Sequence, residues 1–127
     1  MIRVSHHVGP SRFGVGLIID QDVRKGNLIL DANSQFTYTY RVADFPLDIQ
    51  AMFQRYGYTG KPPYQLTEGW VYYNADDSRF MNHSDDPSCL YSPLQQIYIA
   101  SKDLIVGDEL TCDYNDFCIR GMYGFDF

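Results

Sequence analysis

Arg79-Phe80-Met81-Asn82-His83-Ser84 and, 25 residues after Ser84, Glu109-Leu110-Thr111-Cys112-Asp113-Tyr114 are the stretches on which the reading of this chain turns. In the first, an Asn-His-Ser run stands between an apolar pair and the Asp/Pro residues that follow. That pattern reads as a polar loop held against a hydrophobic wall. In the second, apolar and polar residues alternate after the turn Val106-Gly107-Asp108, as in a half-buried strand. Asparagine, histidine and tyrosine are side chains that bind, orient and exchange protons.

Working outward, Ile97–Ser101 and Trp70–Tyr73 read as strands, and Gly60-Lys61-Pro62-Pro63 as a loop. Ile2–Val8 and Phe13–Asp20 read as two short strands with a turn at Gly9-Pro10 between them. Gly14-Val15-Gly16 lies inside the second run. Two glycines so close in a strand mark either a bulge or a close backbone approach to a ligand, and a lone G-x-G by itself favours the bulge. Arg24-Lys25-Gly26-Asn27 is a turn into a β-rich stretch, Leu28 to Tyr40. The period then changes: Ile49, Met52, Phe53 and Tyr56 share one helical face, with Asp44 and Pro46 before them and Gly57 after. That stripe is expected in the core. The chain therefore reads as many short strands and one helix in a single domain over residues 1–127.

Composition bounds the function. A chain of 127 residues with 45% hydrophobic and 20% charged residues is that of a globular domain. It has no apolar run near the ~20 residues that span a bilayer and no apolar leader, so an intracellular, soluble protein is expected, with no membrane partner. The net charge of −6, with no Lys/Arg cluster, argues against direct nucleic-acid binding. It suits solubility, and equally a basic peptide partner. Three cysteines, Cys89, Cys112 and Cys118, without a C-x-x-C spacing, give neither a disulfide framework nor a zinc cluster, and no metal is expected. Asp76-Asp77 and Asp85-Asp86 read as solvated turns, and His6 and His7 as one core and one surface residue. Eleven Tyr, eight Phe and one Trp could fill a core or line a channel for an aliphatic or cationic group, and composition does not separate the two. Nucleophile-elbow, phosphate-loop, zinc-protease and calcium-loop patterns are absent.

Together the two stretches resemble the SET-domain protein lysine methyltransferases. That family carries R-F-x-N-H-S, followed by Pro and commonly Cys (here Pro87 and Cys89), and a later G-[ED]-E-L-x-x-D-Y, here Gly107 to Tyr114. A G-x-G strand and a K-G turn stand upstream, here Gly14 to Gly26, in the same order and spacing. The resemblance implies a mostly β (α+β) fold of several small curved sheets with one short helix. It also implies a C-terminal pseudoknot, which brings Asn82-His83 beside Tyr114. It implies S-adenosylmethionine as cofactor, released as S-adenosylhomocysteine. Gly14, Val15, Gly16, Arg79, Phe80, Asn82 and His83 would hold that cofactor, with Asn82 at its amino-acid end. The His83 backbone would meet the adenine while its side chain braces the loop. Tyr114 would be the catalytic residue, and Tyr91, Cys112, Phe117 and Tyr123 would line the substrate channel of a lysine-containing, basic protein or peptide, a histone-like tail among the candidates. The bulge reading of Gly14-Val15-Gly16 gives way to a cofactor contact. A small stand-alone enzyme of the viral or bacterial type is expected, able to form a homodimer.

Three departures from the family pattern stand out. The Tyr-x-Gly that often follows the strand after the K-G turn is missing from Leu30-Asp31-Ala32-Asn33-Ser34, leaving Tyr38 or Tyr40 to replace it. This keeps open an alternative: a SET-fold module that grips basic peptides without transferring methyl groups. After Tyr114 there is no cysteine-rich zinc module, only an aromatic flank over 115–127, where Phe117, Tyr123, Phe125 and Phe127 would fold back as a lid. Cys112 occupies a position that is often Phe or Tyr in the family, where the choice affects how many methyl groups a lysine accepts.

Overall fold

The computed structural model describes residues 1–32 and 36–120. The strands and helix in chain order are β1 (His6–Ser11), β2 (Gly14–Ile19), β3 (Leu28–Asp31), β4 (Thr37–Arg41), α1 (Leu47–Tyr56), β5 (Trp70–Asn74), β6 (Asn82–His83), β7 (Cys89–Ser92), β8 (Ile97–Ala100) and β9 (Glu109–Cys112). They form a mostly β structure with one α-helix and three small sheets. The chain divides into two compact units, Met1–Ser34 with Phe80–Asp113 and Gln35–Arg79 with Tyr114–Phe127. No helix among the described residues is long and apolar enough to cross a membrane.

The first unit contains a four-stranded sheet in the order β1-β2-β9-β6 and a three-stranded sheet in the order β3-β8-β7. In β2 the residues Leu17 and Ile19 alternate inward and are fully buried, as period-two patterning requires. Leu17 stands opposite the equally buried Leu110 of β9. Strand β9 is antiparallel to β2 on one side and parallel to β6 on the other. The segment after β6 closes on β9 with side-chain hydrogen bonds. Ser88 N donates to Thr111 Oγ1 at 3.0 Å, Thr111 N to Ser88 Oγ at 2.8 Å, and Ser88 Oγ to the Glu109 carbonyl at 2.9 Å. A late strand is thus inserted between earlier ones.

One sequence expectation is corrected here. Gly9 and Pro10 are not a turn. They lie inside β1, opposite Gly16 and Val15, and the reversal comes later, at Arg12-Phe13. Proline is tolerated because β1 is an edge strand, where a missing N–H costs no ladder bond. The β1–β2 register runs without a shift from His6↔Ile19 to Ser11↔Gly14, so Gly14-Val15-Gly16 forms no bulge. Gly14 instead supplies the left-handed φ of 105° that ends the tight hairpin.

In the second unit β4 and β5 pair antiparallel, and α1 packs on them. Val42, Phe53 and Val71 are buried there, with Tyr40, Phe45, Ile49 and Tyr73 around them. Phe53 meets Tyr40 stacked at 5.3 Å and meets Phe45 and Tyr73 edge-on at 5.1 and 5.4 Å. Those are the offset and T-shaped geometries that aromatic quadrupoles favour. Gly57 N closes the helix on the Phe53 carbonyl at 2.8 Å. Met52, expected in the stripe, is 42% exposed, because it lies at the stripe's edge rather than on the Phe53 line.

Burial sets the chemistry of two thiols. It pushes the Cys89 thiol up to about 11, against a smaller opposing effect of the Ser88 hydroxyl, and the Cys118 thiol up to about 12, against that of Lys61. Both are therefore neutral at pH 8, and a neutral thiol is a poor nucleophile. Maleimide labelling at pH 8 should leave Cys89 and Cys118 unmodified until denaturant is added. Prompt labelling of either in the native protein would contradict this. Because these values are raised in the folded state, the stability they contribute is complete below the unfolded thiol value. It should be lost as pH climbs through the folded ones.

Candidate active site

In the first unit, β2 and β6 flank the same strand, β9, and this brings two sequence motifs together. Asn82, at the start of β6, points its amide at β2: Nδ2 donates to the Val15 carbonyl at 2.8 Å across 67 positions of sequence. The same nitrogen lies 3.4 Å from Ser11 Oγ and 3.5 Å from Glu109 Oε2. An amide has two N–H donors. One is fully used on Val15, and the other is shared between two distant acceptors. Gly16 is the floor of this cluster. A Cβ on it would stand 2.7 Å from Glu109 Oε1, closer than real Cβ atoms come, and a tight 3.0 Å from Asn82 Nδ2. Glycine at this position therefore leaves the room in which the Glu109 carboxylate and the Asn82 amide close over β2.

His83 follows on β6, in register with Cys112. Its ring is largely enclosed, with Nε2 at 2.9 Å from Asp85 Oδ1 and Nδ1 at 3.7 Å from Asp113 Oδ1. The imidazole ties the loop after β6 to the end of β9, as does Ser84 N, which donates to the Cys112 carbonyl at 3.0 Å. Phe80 and the buried Met81 lead into Asn82, and Cys112 is buried on β9. Tyr91, on β7, packs its ring on Tyr98 at 5.0 Å. No group of three or more His, Cys, Asp or Glu residues suited to a metal ion is gathered among the described residues.

The second unit carries a row of rings. Tyr114 opens a short 3-10 turn, and its ring lies 5.5 Å from Phe117; Phe117 meets Tyr58 at 5.0 Å, and Tyr58 meets Tyr72 at 5.3 Å. Lys61 Nζ donates to the Asn115 carbonyl at 2.8 Å, and so fixes the turn that holds Tyr114. Of the two tyrosines considered as replacements for the missing one, Tyr40 is stacked in the helix core, and Tyr38 is the more exposed. Arg79 Nη1 donates to the Ala75 and Asp76 carbonyls, at 3.2 and 2.7 Å. Tyr123, Phe125 and Phe127 lie outside the described residues.

Sequence reasoning missed Ser11 and Glu109 beside Asn82, and Tyr58 and Tyr72 in the aromatic row. Only strand register places the first pair. For the second, the tyrosine count was the one available signal, and it did not single out positions.

A model of the SET domain family matches residues 14–115. No curated protein sequence matches the chain significantly. The fold is similar to that of a candidate histone methyltransferase from Plasmodium falciparum, with a TM-score of 0.55 and 17% identity over 89% of this chain and 95% of that one. It is also similar to chains of Polycomb Repressive Complex 2 from Chaetomium thermophilum. One is in an autoinhibited conformation bound to S-adenosylmethionine (TM-score 0.60, 17% identity, 89% of this chain and 15% of that one). Another is a humanized mutant bound to an inhibitor (TM-score 0.58, 20% identity, 92% of this chain and 16% of that one). At these identities the likeness is one of fold, and the chain spans only about a sixth of the Chaetomium chains.

Proposed function

The chain belongs to the SET-domain family, and from that membership we propose that it is a protein-lysine N-methyltransferase using S-adenosylmethionine. The observation that carries the reading is the junction of Gly14-Val15-Gly16 with Asn82 through the 2.8 Å amide bond to Val15. That junction fits a cofactor whose amino-acid end is laid along β2. Gly14, Val15, Gly16, Phe80, Asn82 and His83 would hold it, with Arg79 before them in the motif. When bound, the group supplies a sulfonium methyl, an electrophile that needs no metal-activated partner.

This chain's own residues would supply alignment. Asn82 fixes one end of the site, and the enclosed His83 ring keeps its loop in place. The Tyr114 phenol would orient the lysine amine, with Phe117 and the row behind it as apolar walls. Holding two reactants in line removes much of the entropic part of the barrier. Rings facing a cationic amine stabilise it before reaction. A basic, lysine-bearing protein or peptide fits the net charge of −6.

The test is release of S-adenosylhomocysteine on incubation with labelled cofactor and a lysine-rich peptide array, with modified lysines mapped by mass spectrometry. Cofactor binding without turnover on any lysine substrate would instead support a non-catalytic peptide-binding module. Activity should climb from pH 7 toward 9. A lysine of pKa ~10.4 is neutral at pH 8 at a cost of ~3.3 kcal/mol, at ~1.36 kcal/mol per unit, and none of the motif residues is assigned as a base. A sharp maximum near pH 6–7 would point to a histidine base instead. Cys112 is smaller than the Phe or Tyr common at its position and only a weak donor. Di- or trimethyl-lysine should therefore accumulate, and Cys112→Tyr should shift the product toward monomethyl-lysine. A native product that stops at monomethyl-lysine would refute this.

A further inference from the structure

We propose that Glu109 is a cofactor-binding residue whose carboxylate receives the α-ammonium of the cofactor's amino-acid end. The inference rests on the reading of Gly14-Val15-Gly16 and Asn82 as the cofactor site. It adds a residue that the motif comparison leaves without a role.

The argument begins with an unbalanced charge. Glu109 is half-buried at the start of β9, and its carboxylate lies against Gly16 on β2. No arginine, lysine or histidine among the described residues forms an ion pair with it. Its one side-chain hydrogen bond is the long 3.5 Å contact from Asn82 Nδ2. The other carboxylates close to this strand do have cationic or donor partners: Asp85 and Asp113 face His83, and Asp108 Oδ2 accepts from Ile105 N at 3.0 Å. A partly desolvated carboxylate with only one long hydrogen bond is unfavourable, and a cation delivered to it is stabilised.

Place also matters. The register Ile18↔Glu109 puts the side chain over Gly16 of β2, where a Cβ would meet its carboxylate. Asn82 and Ser11 complete the same small cluster. Asn82 has one weakly used donor, which suits a ligand carboxylate, while Glu109 is an acceptor, which suits an ammonium. An amino acid carries both groups on one carbon. The pair Asn82 and Glu109 therefore matches the zwitterionic end of S-adenosylmethionine or S-adenosylhomocysteine. Ser11, at the last position of β1, adds a hydroxyl able to donate or accept.

The experiment is a cycle of four binding measurements by calorimetry: native protein and Glu109→Gln, each with S-adenosylhomocysteine and with its deaminated analogue. Native protein should prefer the amine-bearing ligand by about tenfold to a hundredfold, the range of a hydrogen bond to a charged group. Glu109→Gln should lose that preference while keeping its affinity for the deaminated analogue. A native protein that binds both ligands equally overturns the assignment without any variant having to fold. Equal loss of both affinities in Glu109→Gln, or no loss of either, also overturns it. A native protein that binds neither ligand refutes the cofactor reading itself, and the Glu109 assignment falls with it.

Discussion

Tyr114→Phe is expected to lower methyl-transfer turnover by about 10²–10³-fold, the cost seen when one transition-state donor is removed. Its affinity for S-adenosylhomocysteine should stay unchanged. The expectation separates chemistry from binding because of where the residue sits. The Tyr114 ring packs 5.5 Å from Phe117, and Phe117 is backed by Tyr58. Phenylalanine keeps that ring contact and removes only the hydroxyl. Asn82 and Gly16, the residues proposed to hold the cofactor, belong to the other compact unit. Single-turnover rates and calorimetric affinities on the same preparation decide it. Full activity in the variant would remove Tyr114 from the reaction.

The second large effect is on stability. Leu110 is fully buried at the centre of the four-stranded sheet, opposite the equally buried Leu17. Leu110→Ala removes most of a side chain from a site that cannot collapse, since strands hold it on both sides. About 2.7–5 kcal/mol should be lost, against a typical domain stability of about 5–15 kcal/mol. Urea unfolding followed by tyrosine and tryptophan fluorescence should show a much lower midpoint. Leu94, 99% exposed, is the control, and its replacement by alanine should change stability by less than about 0.5 kcal/mol. A Leu110→Ala midpoint equal to that of the control would mean that β9 is not the keystone of the sheet.

What the sequence revealed and what it hid follow from the range of the forces involved. The helix at Leu47–Tyr56 was legible because its signal is local: Ile49, Phe53 and Tyr56 repeat with the helical period. Strands β5, β8 and β9 were legible for the same reason. Strand β6 is two residues long and has no period to detect, so its stretch reads as a polar loop, although the Asn-His of the motif singles its residues out. The Gly9-Pro10 turn was misplaced because local rules could not tell that β1 is a sheet edge. Asn82 was readable from the company it keeps in sequence. Glu109 was not, because its closeness to Gly16 is made by pairing residues that lie far apart along the chain.

The insertion of β9 between β2 and β6 has a consequence for how the protein is born. A ribosome completes β2 early and must then make most of the remaining chain before the strand that pairs with it emerges. Until then the nascent polypeptide carries a glycine-rich hairpin whose inner edge, with Leu17 and Ile19, has nothing to cover it. Contacts of such long sequence separation are formed slowly, because loop closure must precede the reward. Exposed edges of this kind also invite aggregation during synthesis. The first unit should therefore fold only after β9 has been made. Ribosome-bound chains ending before Glu109 should be cut readily by protease within Gly14–Ile19, and released chains of residues 1–127 should resist.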